Sequence, residues 1–151
     1  MSNLTVEKLC QRILECRLVD AQELERAVAD AGGPSVSLEV FAKLLQEKEL
    51  CTNWQIRQLI VGEQHGYFYG DWKVLCMVGS GTHARVYRAC HSQTNEYRAI
   101  KVLRKRYSED AEAKESFLRK VDKEQDNKST IYESGEANGL PYLVVDFIES
   151  V

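Results

Sequence analysis

No stretch of this 151-residue chain approaches the roughly eighteen apolar residues that a membrane-spanning helix needs. Met1 to Lys8 lacks a basic region followed by an apolar core, so a cleaved secretory leader is not expected. Charge of one sign is lacking too. The formal net charge is −3, with 7 Lys/Arg against 10 Asp/Glu over Met1–Gly70 and 13 against 13 over Asp71–Val151. Neither half is basic enough to expect nucleic acid as a partner. The five cysteines, Cys10, Cys16, Cys51, Cys76 and Cys90, are an odd set without C-x-x-C spacing. Four of them sit inside apolar patterns, which reads as buried thiols in a reducing cytosol rather than disulfides or zinc. A cytoplasmic location is therefore expected. His65 and His91 have no Cys, Asp or Glu at ligand spacing, so no metal site is expected. What is there, 44% hydrophobic and 28% charged residues, suits a soluble globular chain of one ordinary domain or two small ones.

The first half is helical in pattern. Apolar stripes at i, i+3/i+4 spacing recur, with Leu9, Ile13 and Leu14 matching Phe41, Leu44 and Leu45. Leu18–Leu24 aligns with Leu50–Ile56 at an offset of 32 residues. In each copy a capping residue, Asp20 or Thr52, stands three positions before Glu23 or Gln55, the capping-box spacing. Ala31-Gly32-Gly33-Pro34-Ser35 breaks the pattern between the copies. The spacing predicts two helix hairpins, with helices near 4–16, 20–31, 37–49 and 53–62, each needing the other to cover its apolar face. Gly62 to Gly70, with three closely spaced aromatics, is expected to link this domain, residues 1–66, to a second one over 67–151.

From Asp71 the period changes to that of strands. Trp72–Val78, Arg85–His91 and Tyr97–Leu103 are rich in β-branched and aromatic residues, with a turn at Ser92–Glu96. Thr130–Glu133 and Tyr142–Ile148 should form a hairpin about Ala137-Asn138-Gly139. Between these groups, Glu109 to about Lys123 is helix-compatible, and Asp122–Ser129 has no apolar residue. Within the first strands lies a glycine-rich turn, Val78-Gly79-Ser80-Gly81-Thr82-His83-Ala84-Arg85-Val86-Tyr87, followed by Ala99-Ile100-Lys101-Val102. Glycines let a backbone approach phosphate oxygens, and a branched valine just beyond can roof a base. A lysine on the next strand brings a point charge to those phosphates. Gly79 and Gly81 also suit a plain hairpin turn, but Lys101 between Ile100 and Val102 is hard to explain structurally, because a buried lysine needs an anionic partner. His83 reads as an exposed turn residue, and Arg104-Lys105-Arg106 as a solvated strand end.

The order Gly-Ser-Gly-Thr-His-Ala-Arg-Val, Ala-Ile-Lys and then Leu140-Pro141-Tyr142-Leu143-Val144-Val145-Asp146-Phe147-Ile148-Glu149 resembles the glycine-rich loop, third strand, and fifth strand with hinge of a protein kinase. The group it is most similar to is the bacterial, eukaryotic-like Ser/Thr kinases of planctomycete type. The resemblance covers roughly Gly70 to Val151. It implies an α+β chain: an all-α helical-hairpin repeat, then a five-stranded antiparallel kinase N-lobe sheet with one helix. It also implies an ATP site on Val78, Gly79, Ser80, Gly81, Val86, Ala99 and Lys101. Val145 would be the gatekeeper, with Asp146 and Ile148 offering backbone groups to an adenine edge, or these three simply belong to a fifth strand.

The chain departs from that pattern. Ala84 replaces the third loop glycine, and Lys120 stands where the family carries the helix glutamate that pairs with the strand lysine. Counting back from Tyr132 instead lands near Ser116; Glu115 or Glu124 would reach Lys101 only in another register. No H-R-D-x-x-x-x-N or D-F-G motif occurs, so no catalytic residue is assigned and no phosphotransfer is expected from this chain alone. ATP is expected to bind weakly, and magnesium only if a C-lobe is supplied. Two readings stay open: the front of an enzyme whose C-lobe lies outside these residues, or a truncated pseudokinase acting as a non-catalytic interaction module. A protein partner or the missing C-lobe is expected in either case, and self-association of the uncovered face is a further expectation.

Overall fold

The fold is known from a computed structural model that describes residues 4–117 and 131–146. The chain divides into two compact units, Met1–Tyr67 and Phe68–Val151.

The described residues of the first unit form four helices, α1 (Val6–Glu15), α2 (Ala21–Ala31), α3 (Leu38–Glu47) and α4 (Asn53–Val61). α1 packs against α4 and α2 against α3. Leu9, Ile13, Phe41, Leu45 and Leu59 are fully buried, whereas Leu14 is 44% exposed. The inward stripe is therefore Leu9/Ile13 and Phe41/Leu45, and Leu14 does not belong to it. Landmarks of the first hairpin recur 32 residues on: Thr5 and Ser37 cap helices beginning at Val6 and Leu38. Past those helices Arg17 and Glu49 take left-handed backbone, with φ of 57° and 58°. The caps differ in chemistry. Thr52 and Gln55 form a complete capping box, the Gln55 amide donating to Thr52 Oγ1 at 3.1 Å and the Thr52 amide to Gln55 Oε1 at 2.8 Å. Asp20 occupies the N-cap of α2 but makes no side-chain capping bond, which corrects the expectation of two capping boxes. Arg12 ties α1 to the far end of α4 by donating to the Leu59 carbonyl at 2.6 Å, where free carbonyls favour a cation.

Nor is the segment before Asp71 only a linker. Tyr67 is buried in the first unit, its hydroxyl donating to the Glu63 carbonyl at 2.8 Å and its ring 6.2 Å from Trp54. Phe68–Tyr69 form a short strand, β1, which pairs antiparallel with β2 (Trp72–Ser80). Beyond them come β3 (Ala84–His91), β4 (Tyr97–Leu103), β5 (Ile131–Ala137) and β6 (Leu140–Val145). Among the described residues the sheet has six strands rather than five, all antiparallel, in the order β1-β2-β3-β4-β6-β5. A short helix α5 (Lys105–Ser108) and a helix over 111–117, α6, follow β4. Thr130, Lys120, Glu124 and the segment Asp122–Ser129 lie outside the described residues. Asn138 and Gly139 form the two-residue hairpin loop between β5 and β6 with φ of 53° and 77°, the left-handed pair that an Asn-Gly turn supplies.

The outer strands of this order, β1 and β5, approach each other, so the sheet curls nearly closed. The Trp72 indole donates to Glu133 Oε2 across that seam at 2.8 Å. One face points into the curl and buries Tyr69, Trp72, Val74, Tyr87, Ala89, Ile100, Val102, Tyr142 and Val144. The other carries a second cluster of Ala99, Leu103, Phe117, Leu143 and Val145, with Ala84, Val86, Tyr107 and Ile131 packed against it. Alternation along each strand places Lys101 on this second face.

All five cysteines are free thiols, but only Cys51 is buried. Cys10, Cys16, Cys76 and Cys90 are half-buried, fewer buried thiols than the apolar pattern implies. Burial raises the Cys10 and Cys16 thiols above their ordinary value, and Glu7 and Glu15 push the same way. No helix among the described residues is long and apolar enough to cross a membrane.

Candidate functional site

Strand register brings three of the sequence-identified residues into one row. Gly79 pairs with Val86, Val86 with Lys101, and Lys101 with Leu143. One step along the same face, Arg88 pairs with Ala99 and Ala99 with Val145. In an antiparallel sheet directly opposed residues hold their Cβ atoms about 4.5–5.5 Å apart, so this grid is a surface rather than a scatter of positions.

Over one end of the grid lies a cavity of about 640 Å³. The tip of the β2–β3 hairpin, Gly81 to Ala84, forms one wall. Val86, Lys101, Leu103 and Leu143 form the floor. Tyr107 and α6 close the far side, where Asp110, Glu112, Ser116 and Phe117 reach the cavity. Asp110 is engaged at the start of α6: its Oδ1 accepts from the Glu112 amide at 3.0 Å. Lys101 is half-buried rather than fully buried, which its place on the open side of the sheet explains. That removes the argument that burial alone demands a partner for it, and leaves its position in the cavity floor as the relevant fact.

Gly81, Val86 and Lys101 thus line the cavity, while the other described candidates do not. Ala99 and Val145 are buried in the neighbouring apolar cluster, which shares Leu103, Leu143 and Phe117 with the cavity wall. Val78 sits at a β-bulge in β2, out of register with β3, and is 51% exposed. Gly79 and Ser80 end β2 before the tip. Asp146 follows β6 and accepts from the Tyr132 hydroxyl at 2.6 Å, a bond that raises the Tyr132 pKa. Ile148 lies outside the described residues. Neither Gly79 nor Gly81 has a positive φ; a Cβ on Gly81 would stand 3.4 Å from the Ala84 carbonyl oxygen, so the tip is close-packed rather than strained.

The loop tip is held from one side. Arg104 donates through Nε to the Gly81 carbonyl at 3.0 Å and through a terminal nitrogen to Ser80 Oγ. The Arg104 amide donates to the His83 carbonyl at 2.8 Å, Arg106 to the Thr82 carbonyl at 3.4 Å, and the His83 and Tyr107 rings lie 4.6 Å apart. Arg104 and Arg106 are thus bonded to the loop and are not merely a solvated strand end, a role that a short basic run does not announce in sequence. Tyr107, Asp110, Glu112 and Leu143 were also missed as cavity residues. Leu143 alone was traceable, by its apolar alternation opposite Lys101. His91 caps its own turn, its Nδ1 accepting from the Gln93 and Thr94 amides at 3.1 and 3.2 Å. Among the described residues no group of three or more His, Cys, Asp or Glu could hold a metal ion.

No family model matches the chain. No curated protein matches it either. Its neighbours among solved structures are protein kinase domains. Two structures of the Mycobacterium tuberculosis PknI kinase domain have TM-scores of 0.43 and 0.44 at 20% and 22% identity. They cover 56% of this chain and 36% and 35% of theirs. A Plasmodium kinase domain has a TM-score of 0.41 at 23% identity, over 54% of this chain and 25% of that one. The chain spans about a third of the length of the PknI domains and a quarter of the Plasmodium one.

Proposed function

We propose that residues 68–151 are a nucleotide-binding half-site of the Ser/Thr protein kinase type, in which the phosphate end of ATP enters the cavity beneath the β2–β3 tip. The observation that carries this is the shared cavity itself: Lys101 in its floor and Gly81–Ala84 as its wall, with Val86, Leu103 and Leu143 as apolar lining. Its volume of about 640 Å³ suits a small ligand, and one ammonium beside a backbone-rich tip is a donor set for phosphate oxygens. Of the residues expected to meet the base, Ala99 and Val145 are covered by the protein's own cluster and only Val86 lines the cavity. A base therefore gains little apolar contact here, and binding is weak, with a Kd no tighter than about the high-micromolar range. Catalysis, magnesium and a protein substrate belong to a C-lobe that lies outside these residues or on a partner.

Calorimetric or fluorescent-nucleotide titration tests the reading. Saturable ATP binding that is lost or weakened about tenfold in Lys101→Ala is expected, the factor that corresponds to about 1.4 kcal/mol. No saturation at millimolar ATP, or equal affinity in wild type and variant, would overturn it.

A further inference from the structure

The carbonyls of Gly81, Thr82 and His83 are consecutive, and all three accept hydrogen bonds from the stretch just after β4. The donors are two guanidinium groups and one backbone amide, and two of the three bonds come from Arg104 alone. The bond from the Arg104 amide continues the β3–β4 ladder one step past the Ala84–Leu103 pair, but nothing in the ladder imposes the two guanidinium bonds to Gly81 and Thr82, and a glycine-containing tip has many accessible backbone conformations. In a trans peptide the carbonyl of one residue points opposite to the N–H of the next. Three carbonyls aimed at the Arg104 corner therefore turn the N–H groups of Thr82, His83 and Ala84 away from that corner. Turned together in this way, the Thr82 and His83 amides would offer the kind of backbone concavity that binds phosphate.

We propose that Arg104, supported by Arg106, is the positioning residue of the glycine-rich loop: by holding its carbonyls it presets the loop's amides for an anionic phosphate group. Arg104 does this without touching the ligand. It also substitutes for rigidity that the loop cannot generate itself, since Arg104 follows Lys101 on the same strand end and shares its rigid sheet. The consequence for the phosphate chain rests on the nucleotide reading above; the clamp itself does not.

Two measurements on the full chain separate the two. The first needs no nucleotide. The Gly81 amide donates to the Ala84 carbonyl at 2.8 Å, so its hydrogen exchange reports the clamped tip. Arg104→Ala should speed exchange at Gly81 by about tenfold or more, and Arg104→Lys, which keeps the charge but loses the fork, by less. Unchanged exchange in Arg104→Ala would overturn the proposal. The second sets ATP affinity beside the thermal unfolding midpoint of the second unit. Arg104→Ala should weaken ATP about tenfold while leaving the midpoint nearly unchanged, a split that general destabilisation of the fold would not produce. Unchanged ATP affinity in Arg104→Ala, or a loss of affinity only together with a collapsed midpoint, would overturn the positioning role. Released exchange together with no ATP binding in either protein would uphold the clamp and overturn the nucleotide reading alone.

Discussion

Placing a methyl group on Gly135 should damage the second unit more than any other single-carbon change in β5. A Cβ there would stand 2.7 Å from the Tyr142 hydroxyl, 2.8 Å from Cζ and 3.0 Å from Cε1, closer than real side chains approach. The Tyr142 ring cannot easily yield, because it is only 4% exposed and lies 5.5 Å from the Tyr69 ring. A Cβ on Gly70 would also stand 2.7 Å from the same hydroxyl. Gly135 has no positive φ, so its conformation suits alanine, and the loss of unfolded-state freedom would favour the variant by about 0.4–1 kcal/mol. Because the ring cannot yield, overpacking falls in the upper half of the usual range, about 2–3 kcal/mol, and leaves a net loss of about 1–2.6 kcal/mol for Gly135→Ala. For a unit of this size the midpoint should fall by roughly 5–15 °C. Urea and thermal unfolding followed by Trp72 fluorescence, in a Trp54→Phe background, would measure it. The mechanism is checked by repeating the substitution in Tyr142→Leu, where the space is free and Gly135→Ala should cost nothing, a coupling of about 1–3 kcal/mol. An equal cost in both backgrounds would refute the clash, as would no cost in the wild type.

Thr52→Ala should destabilise the first unit by about 1 kcal/mol, because it opens a complete capping box. Asp20→Ala should cost only a few tenths, through the helix dipole alone, because Asp20 makes no capping bond; chemical unfolding followed by Trp54 in a Trp72→Phe protein reads both. Burial, then the neighbouring Tyr87, pushes the Tyr69 hydroxyl up to about 12 from 10.0, against a lowering by Arg85. Its folded pKa lies above its unfolded one, so the stability tied to the neutral phenol is fully present below pH 10 and is lost as pH rises towards 12. Tyr69→Phe should therefore flatten the alkaline fall in stability of the second unit, measured as denaturation midpoint against pH from 9 to about 12; an unchanged slope would place the titration elsewhere.

Helix positions and most strands were legible because their signals are local. Thr52-x-x-Gln55, the Asn138-Gly139 pair and the alternation of Tyr97–Leu103 each act within a few residues. What escaped depends on partners far along the chain. Phe68-Tyr69 is too short to read as a strand, and becomes one only because Trp72 and Lys73 lie alongside it. Leu14 fits a helical stripe as well as Ile13 does, and packing alone decides that Ile13 goes inside. Asp20 has the spacing of a cap without the bond, because the motif fixes where a side chain could reach rather than where it goes. In the site, the row from Gly79 through Val86 to Lys101 follows from strand order and register, both foreshadowed by the motif. The Arg104 clamp and the walls supplied by Tyr107 and α6 do not, because they arise where a corner folds back on a hairpin tip more than twenty residues earlier in sequence.

The two faces of the sheet carry separate duties, and that separation makes the functional reading testable. Tyr69, Trp72, Tyr87 and Tyr142 fill the inner face, where Gly70 and Gly135 give up side chains to admit one hydroxyl. Lys101, Val86 and Leu143 look the other way, onto a cavity whose loop is restrained by residues of neither aromatic cluster nor seam. Alternation along β4 and β6 sends adjacent residues to opposite duties: Ile100 and Val102 to the curl, Lys101 to the cavity; Tyr142 and Val144 to the curl, Leu143 to the cavity. A substitution at Lys101 should therefore change ligand binding with little effect on unfolding, since it is half-buried and outside the curl. One at Val144, fully buried, should do the reverse, with Val144→Ala costing on the order of 1–3 kcal/mol. If Lys101→Ala were the more destabilising of the two, the lysine would be a structural member of the sheet, and the half-site reading would lose its central residue.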